Sequence, residues 1–494
     1  MRRSISTAVL ALLCGLAGCR GCHGNGKPVT PEWTVMFYLA ADDHLLESYA
    51  LQTFDELARI GSTDRVHLVA LLDRVGGTSI HPKWSDTRRF YIRKGGVLVV
   101  DAGTPQEDCP NQECDMGDPD TLARFIAWAQ SEESGHRAKH YALILWGHGT
   151  GFTLNPVGNT LLDDSLRRTY LDSFRERYGE WRERKNLHCL LFGLAAPPKE
   201  ILTDVSSGRS LRNKAVQRVL AASPNHSVDV LGLDACLMGM IETAYAMKDV
   251  ATVMTASEQD IPGTSMDYGW VRELVEDPDL QPAEIGSAMV RGYCRKYRGC
   301  DRSEGRNRTL SAVNLKDVNE VAGRLDGLSC VLRAAIRDEE ARLKVAKARG
   351  DCLIYGDFAE SGRSAAFHNI DLLHFCERLI AANVSADVTA AAKPVIEAVR
   401  HAVIASYADR DEKCHDYGSS GIGIYFPRTK DQFDSDVYAA AYNSTGSDPD
   451  TPDFVREREW PKFLKEYSAF RDTNVIVESS PPCMALPECG VKSR

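Results

Sequence analysis

Beyond Cys19 the sequence has no apolar run approaching the roughly 20 residues that a membrane-spanning helix needs, so the body of the chain is not expected to cross a bilayer. It also lacks an excess of positive charge. Its 59 Lys and Arg stand against 69 Asp and Glu, a formal net charge of −10, which removes the electrostatic basis for nucleic acid as a main partner. No internal repeat is present. Zinc motifs are missing too: the close pairs Cys109/Cys114, Cys294/Cys300 and Cys483/Cys489 have neither C-x-x-C spacing nor neighbouring histidines. Cys19 and Cys22 do have that spacing, but they stand in a Gly- and Pro-containing stretch with no fold around them. What remains is the composition of a soluble globular protein, 43% hydrophobic and 26% charged, in a chain of 494 residues that is long enough for a large core.

The first residues read as an address and not as part of the fold. Arg2 and Arg3 precede a short apolar stretch that ends in small residues, the layout of a secretory signal. Leu16-Ala17-Gly18-Cys19 resembles the lipobox of bacterial lipoproteins, which implies cleavage before Cys19 and acylation of that cysteine, with the lipid bilayer as a partner; plain secretion is the alternative. Arg20, in place of an aspartate that would mark inner-membrane retention, favours the outer membrane or cell surface. Residues 19–32 then form a tether. Loss of Cys14 with the signal leaves fourteen of the fifteen cysteines, a number that suits an oxidising compartment, and each of the three close pairs is a candidate small-loop disulfide.

Apolar, β-rich runs alternate with helical patterns. TVMFYLA (34–40) is followed by a helical spacing of Leu46, Ala50, Phe54 and Leu57. VHLVALL (66–72), YALILW (141–146), VDVLGLD (228–234) and ATVMTA (251–256) continue the set, and TLARFIAWAQ after Asp118 and Pro119 reads as a capped helix. Near-continuous apolar strands alternating with helices predict an α/β fold, a mostly parallel sheet with helices on both faces. Between 155 and 202 the pattern gives way to a charged, solvent-exposed insertion. Helical stretches follow at 282–297, 315–347, 365–382 and 386–407, with a late strand in GIGIYFP (421–427) and an irregular tail over 471–494. The expected organisation is a main domain over 33–314 and a helix-rich extension of the same core over 315–470.

In parallel sheets, ligands gather beyond the carboxyl ends of the strands. Three such ends are polar here: AADDH (40–44), WGHGTG (146–151) and DACLMG (234–239). His148 lies between glycines that leave its backbone N–H groups unhindered. Cys236 stands where a strand gives way to a helical pattern, a place where a helix dipole would favour thiolate. A packed small hydrophobe and a turn histidine are the plain alternatives. Together at one sheet edge, they are the minimum kit for nucleophilic catalysis, with backbone amides left for an oxyanion.

WGHGTG and LGLDACLMGMIETAYAMKDVATVMTASEQDIPG resemble the active-site segments of clostripain-like cysteine peptidases, of the caspase–gingipain–legumain clan. WTVMFYLAADDHLLE, MGDPDTLARFIAW, TLSAVNL, SGIGIYFP and WPKFLKEY support the resemblance in the right order from Trp33 to Tyr467. It implies a caspase-like fold, Cys236 as nucleophile, His148 as its partner, and an oxyanion hole from the backbone N–H groups of Gly149 and Cys236. It also implies that Asp234 binds a basic P1 side chain of a protein or peptide substrate, arginine above lysine because a carboxylate can pair with a guanidinium through two bonds. Capping of a following helix is the alternative for Asp234.

Two departures stand out. Where the family often has a second acidic residue after PG, this chain has Thr264, and the nearest carboxylate is Asp267. The interval from His148 to Cys236 is lengthened by the insertion, whose Arg167, Arg168, Arg175, Arg177, Arg182, Arg184 and Lys185 are either self-cleavage sites or one face of a solvated helix. The chemistry requires no cofactor. Calcium dependence occurs in the family, and AADDH and QEDCPNQECDMGDPD offer oxygen ligands, but neither has the spacing of a calcium loop, and both read as turns and caps. A catalytically inactive binding lipoprotein and a peptide ligase or transpeptidase are the competing functional readings.

Overall fold

The architecture follows from alternation along the central strands, as a computed structural model of the chain shows. It describes residues 30–42, 46–75, 84–99, 109, 113–149, 202–204, 207, 209–297, 308–352, 354–355, 368–408, 419–435, 441–442, 451–470 and 492–493. The signal and most of the tether with Cys19, the body of the insertion, Cys300, and Cys483 with Cys489 lie outside the described residues.

The strands are β1 (Trp33–Ala41), β2 (Val66–Arg74), β3 (Thr87–Arg93), β4 (Gly96–Val99), β5 (His140–Trp146), β6 (Leu202–Thr203), β7 (Ser210–Leu211), β8 (Val228–Asp234), β9 (Ala251–Ala256), β10 (Thr309–Asn314), β11 (Asn369–Asp371), β12 (Val403–Ala408), β13 (Gly423–Tyr425) and β14 (Lys492–Ser493). Ten of them form one sheet in the order β14-β12-β10-β9-β8-β5-β1-β2-β3-β4. The five central strands, β9-β8-β5-β1-β2, are mutually parallel. Both flanks run antiparallel. The sheet is therefore parallel where it is buried and antiparallel where it nears its edges.

Every residue of β1 is buried. Its side chains alternate between two cores: Val35, Phe37, Leu39 and Ala41 pack on one face, Met36, Tyr38 and Ala40 on the other. Helices Glu47–Ile60, Trp270–Glu276 and Pro282–Tyr297 cover the first face. Helices Pro119–Gln130, Asn213–Ala222 and Ile241–Met247 cover the second. Asp118 caps the helix at Pro119 by accepting from the Asp120 amide, as its sequence signal predicts.

The C-terminal half packs on this second face. Leu325, Phe375, Ile424, Phe426, Trp460 and Phe463 share one continuous core with Leu231 and Leu233 of β8. Its local structure departs from the sequence reading in three places. The stretch 315–347 is two helices, Val318–Ala335 and Glu339–Gly350, because Asp338 accepts from the Ala341 amide and starts a new one. The stretch 365–382 contributes β11 and a helix only over Leu372–Ala381. The stretch 386–407 ends its helix at Ala402, and Val403 onward becomes β12, since β-branched residues there pair with β10. GIGIYFP does form a strand, β13, but it pairs with β11 in a two-stranded sheet of its own.

Cys109 and Cys114 form a disulfide. Cys294 is buried on the helix Pro282–Tyr297. No helix among the described residues is long and apolar enough to cross a membrane.

Candidate active site

β5 and β8 are parallel neighbours, with Trp146 in register with Asp234. His148 and Cys236, each two residues beyond that pair, therefore leave the sheet side by side at its carboxyl edge. The contact between the two segments is tight. A β-carbon at Gly149 would lie 2.5 Å from the carbonyl oxygen of Cys236, 2.7 Å from its amide nitrogen and 2.7 Å from the Ala235 β-carbon. Only glycine brings these two backbones so close.

Directly after Cys236 the chain turns sharply. Leu237 adopts φ 62°, a left-handed conformation that costs a non-glycine residue about 1–2 kcal/mol. The turn is strapped to the segment after β9: Leu237 N–H donates to the Gln259 carbonyl at 3.2 Å, and Gly239 N–H to the Ser257 carbonyl at 2.7 Å. Helix Ile241–Met247 begins only after this turn. Cys236 is thus not at the helix N-terminus that the sequence pattern predicts, and an amide of the loop after β9 donates to its sulfur. Ile261 N–H donates to Sγ at 3.4 Å.

Asp234 faces away from the C-terminal half, toward the segment Thr264–Tyr268. It is 3% exposed. Its Oδ2 accepts from Tyr268 OH at 2.6 Å, from the Met266 amide at 3.2 Å and from Ser265 Oγ, which in turn accepts from Trp146 Nε1 at 2.8 Å. Its Oδ1 is buried with no hydrogen-bond partner among the described residues. Burial raises its proton affinity, and the bonds from Ser265, Tyr268 and Met266 only partly reverse this. Asp234 caps no helix: the donors are a segment from elsewhere in the chain.

Thr264 lies on the same segment, its hydroxyl 2.8 Å from Tyr297 OH, while Lys296 Nζ donates to the carbonyls of Thr264 at 2.5 Å and Met266 at 3.0 Å. Asp267 is directed elsewhere. Ser265, the Met266 amide and Tyr268 reach Asp234, whereas the Asp267 carboxylate accepts from the Gly269 amide at 3.0 Å and lies within 3.9 Å of Arg295. It is not brought to the Asp234 carboxylate.

Two carboxylates that the sequence reading passed over adjoin the Cys236 loop. Asp260 is hydrogen-bonded to the Cys236 side chain, and burial pushes its pKa up to about 6. Glu258, 2% exposed, accepts from the Gly421 amide at 3.1 Å, and burial and the neighbouring Asp371 raise its proton affinity well above the usual range. Asp371 in turn accepts from Ser420 N–H at 2.5 Å, Ser420 Oγ at 2.6 Å and the His374 amide at 2.6 Å. The strand end after β9 is thereby tied to the C-terminal half. The sequence signal was present in SEQD, at the end of a further parallel strand, but nothing local identifies its partners.

Acidic residues also meet at the ends of β1 and β2. Asp42 of AADDH and Glu113 of QEDCPNQECDMGDPD come together with Asp73, each offering an oxygen within 4.8 Å of the others, a set of hard donors that fits calcium. Burial and the carboxylate neighbours push Asp73 well above the ordinary range and Glu113 up to about 7.

The clostripain family model matches residues 196–467. The chain is similar to clostripain of Hathewaya histolytica, with 24% identity over 460 residues that cover 85% of this chain and 78% of that protein. Its fold is similar to that of a secreted C11 cysteine protease from Bacteroides thetaiotaomicron solved with an irreversible peptide inhibitor: TM-score 0.52, 16% identity, 89% of this chain and 99% of that one. An inactive zymogen C11 protease from Parabacteroides distasonis gives TM-score 0.53 and 18% identity, over 89% of this chain and 99% of that one.

Proposed function

The chain belongs to the clostripain family, a cysteine peptidase matched by the family model over more than half its length, and from that premise we propose that Cys236 and His148 cut peptide bonds after basic residues. The Cys236 thiolate attacks the scissile carbonyl carbon. The oxyanion that forms is held by the amides of Gly149 and Cys236, and as the carbon–nitrogen bond breaks, the His148 imidazolium protonates the leaving amine. A water molecule, its proton taken by His148, then cleaves the thioester and releases the acid and the thiol.

The observation that supports this reading is the close approach of Gly149 to the Cys236 backbone, which brings the histidine segment against the segment of the proposed nucleophile. Asp234 supplies the preference for a basic side chain: its buried Oδ1 has no donor among the described residues, and a substrate cation would provide one. Because Oδ2 is already committed to three donors, a two-bond fork with arginine is not set up. Preference for arginine then rests on the lower cost of burying a delocalised, weakly hydrated guanidinium.

The lipobox-like sequence at Cys19 supports attachment to the outer membrane or cell surface, and the basic run at 167–185 supports self-processing. The test is cleavage of a fluorogenic peptide library, varied at P1, by the protein from Gly24 onward, with Cys236→Ala and His148→Ala alongside. Cleavage after arginine, abolished in both variants, is the expected result. Cleavage unaffected by either change sinks the dyad; cleavage after neutral residues sinks the role of Asp234. Incorporation of labelled fatty acid, lost in Cys19→Ala, tests the anchor.

A further inference from the structure

Two arginines in the C-terminal half have no part in the chemistry above. Arg349 is fully buried near the end of helix Glu339–Gly350. Its Nε donates to the carbonyl of Phe426, one residue beyond β13, and its guanidinium lies over the Phe426 ring, 5.6 Å from the centroid. Its two terminal nitrogens, Nη1 and Nη2, are buried with no hydrogen-bond partner among the described residues. Arg428 reaches back the other way. Its Nη2 donates to the Gly350 carbonyl at 3.2 Å, and its Nε is likewise buried without a partner among the described residues. Each arginine thus crosses to the other's segment, so that the helix end and the strand end are joined by two guanidinium groups. His368, 3% exposed, adds no positive charge at neutral pH, because burial and the two arginines lower its pKa to about 3.

The pair lacks a compensating negative charge. The side chains that bear most on Arg349 are Arg428, Cys352, Tyr467 and Tyr425, none of them a carboxylate. The carboxylates nearby are engaged elsewhere. Asp351 pairs with Lys347 at 2.7 Å, and Asp371 is taken up by Ser420 and the His374 amide. Burial and Arg428 lower the pKa of Arg349 to about 10, so it is still charged at neutral pH. A cation this deep is costly unless an anion accompanies it. The unused donors are two from the fork of one guanidinium and one from a second, the kind of set that binds phosphate. Phe375, Trp460, Phe463 and Tyr467 pack edge-to-face around Phe426, and this apolar surround strengthens any such attraction.

We propose that Arg349 and Arg428 form a site for a small oxyanion of the phosphate class, which bridges helix Glu339–Gly350 to the end of β13. Arg428 is half-buried, so its side of the site is the way in from solvent. β13 also backs the turn after Cys236. The Gly423 amide donates to the Gly239 carbonyl at 2.7 Å, and the Tyr425 amide donates to Glu242 at 3.2 Å. Neutralising the arginines at one end of β13 therefore steadies the strand whose other end supports the Cys236 turn. The anion site stands independently of the peptidase reading; only its consequence for catalysis rests on that reading.

The test uses the full chain, carrying Cys236→Ala to prevent self-cleavage and dialysed into a phosphate-free chloride buffer. Titration calorimetry with sodium phosphate should give one ion per chain, with a rise in melting temperature that sodium chloride at equal ionic strength does not reproduce. Arg349→Lys, which keeps a charge but loses the fork, should weaken binding by about tenfold or more. Arg428→Gln, at a half-buried position where misfolding is least expected, should do the same, with circular dichroism confirming that both variants fold. Hydrogen exchange of the Gly423 amide should slow when phosphate is added. Absence of binding, or binding undiminished in both folded variants, overturns the site. Binding without added protection at Gly423 overturns the link to the Cys236 turn. None of these readings depends on peptide cleavage.

Discussion

Ile261 donates its amide hydrogen to the sulfur of Cys236 across 25 residues of sequence, and the same segment places Asp260 against that thiol. Cys236 is thus held by the loop after β9 and not by the helix that follows it, and the loop becomes the place to test.

Asp260 binds its proton more tightly in the folded protein, where its pKa is about 6, than in an unfolded chain, where it is about 3.9. Its contribution to stability is therefore present in acid and is lost as pH rises from about 4 through about 6. Asp260→Asn should remove that loss, giving a higher melting temperature than wild type at about pH 7.5 and a similar one at about pH 4. A variant less stable than wild type at neutral pH and unchanged in its pH profile refutes the assignment.

Gly149→Ala should preserve the fold while lowering kcat by about 100-fold or more, since the added methyl must push the histidine segment off the Cys236 backbone and displace an oxyanion donor. Circular dichroism with steady-state kinetics decides this. Wild-type kcat in the folded variant would mean that Gly149 supplies nothing to the transition state.

Asp234→Asn should cost about 100-fold in kcat/KM toward an arginine substrate and little toward a neutral one. Because burial raises the proton affinity of Asp234, its charge is lost at a higher pH than for an ordinary carboxylate as the solution is acidified. The ratio of arginine to neutral cleavage should fall along that limb in wild type and stay flat in the Asn variant. A ratio insensitive to both pH and substitution places the specificity elsewhere.

Glu258→Gln should be nearly neutral, within about 1 kcal/mol, because a protonated Glu258 beside Asp371 already acts as a donor and glutamine keeps its shape. Asp371→Ala should cost about 2–4 kcal/mol, since it strands the Ser420 amide and removes the cap on His374. Equal losses in urea denaturation would contradict the shared-proton pair.

The central strands were legible because each is an unbroken apolar run that must be buried on both faces, and all five runs are parallel strands whose ends share one edge. β12 was read as helix because its residues continue the helical spacing of the preceding segment, and only pairing with β10 turns them into a strand. β3 carries too much charge for an apolar run to show, β4 is only four residues long, and β10 enters only as part of the resemblance.

Residue order alone therefore set the candidates: His148, Gly149, Asp234 and Cys236 stand at strand ends, and parallel strands must bring such ends to one edge. Which groups surround them was decided by the tertiary structure. The donors to Asp234 lie 31 to 34 residues away, the turn they sit on commits Asp267 to the Gly269 amide, and Asp42, Asp73 and Glu113 meet only because β1, β2 and a disulfide loop converge. Periodicity records which face of its own element a residue occupies. It carries no record of which distant element will be packed against that face.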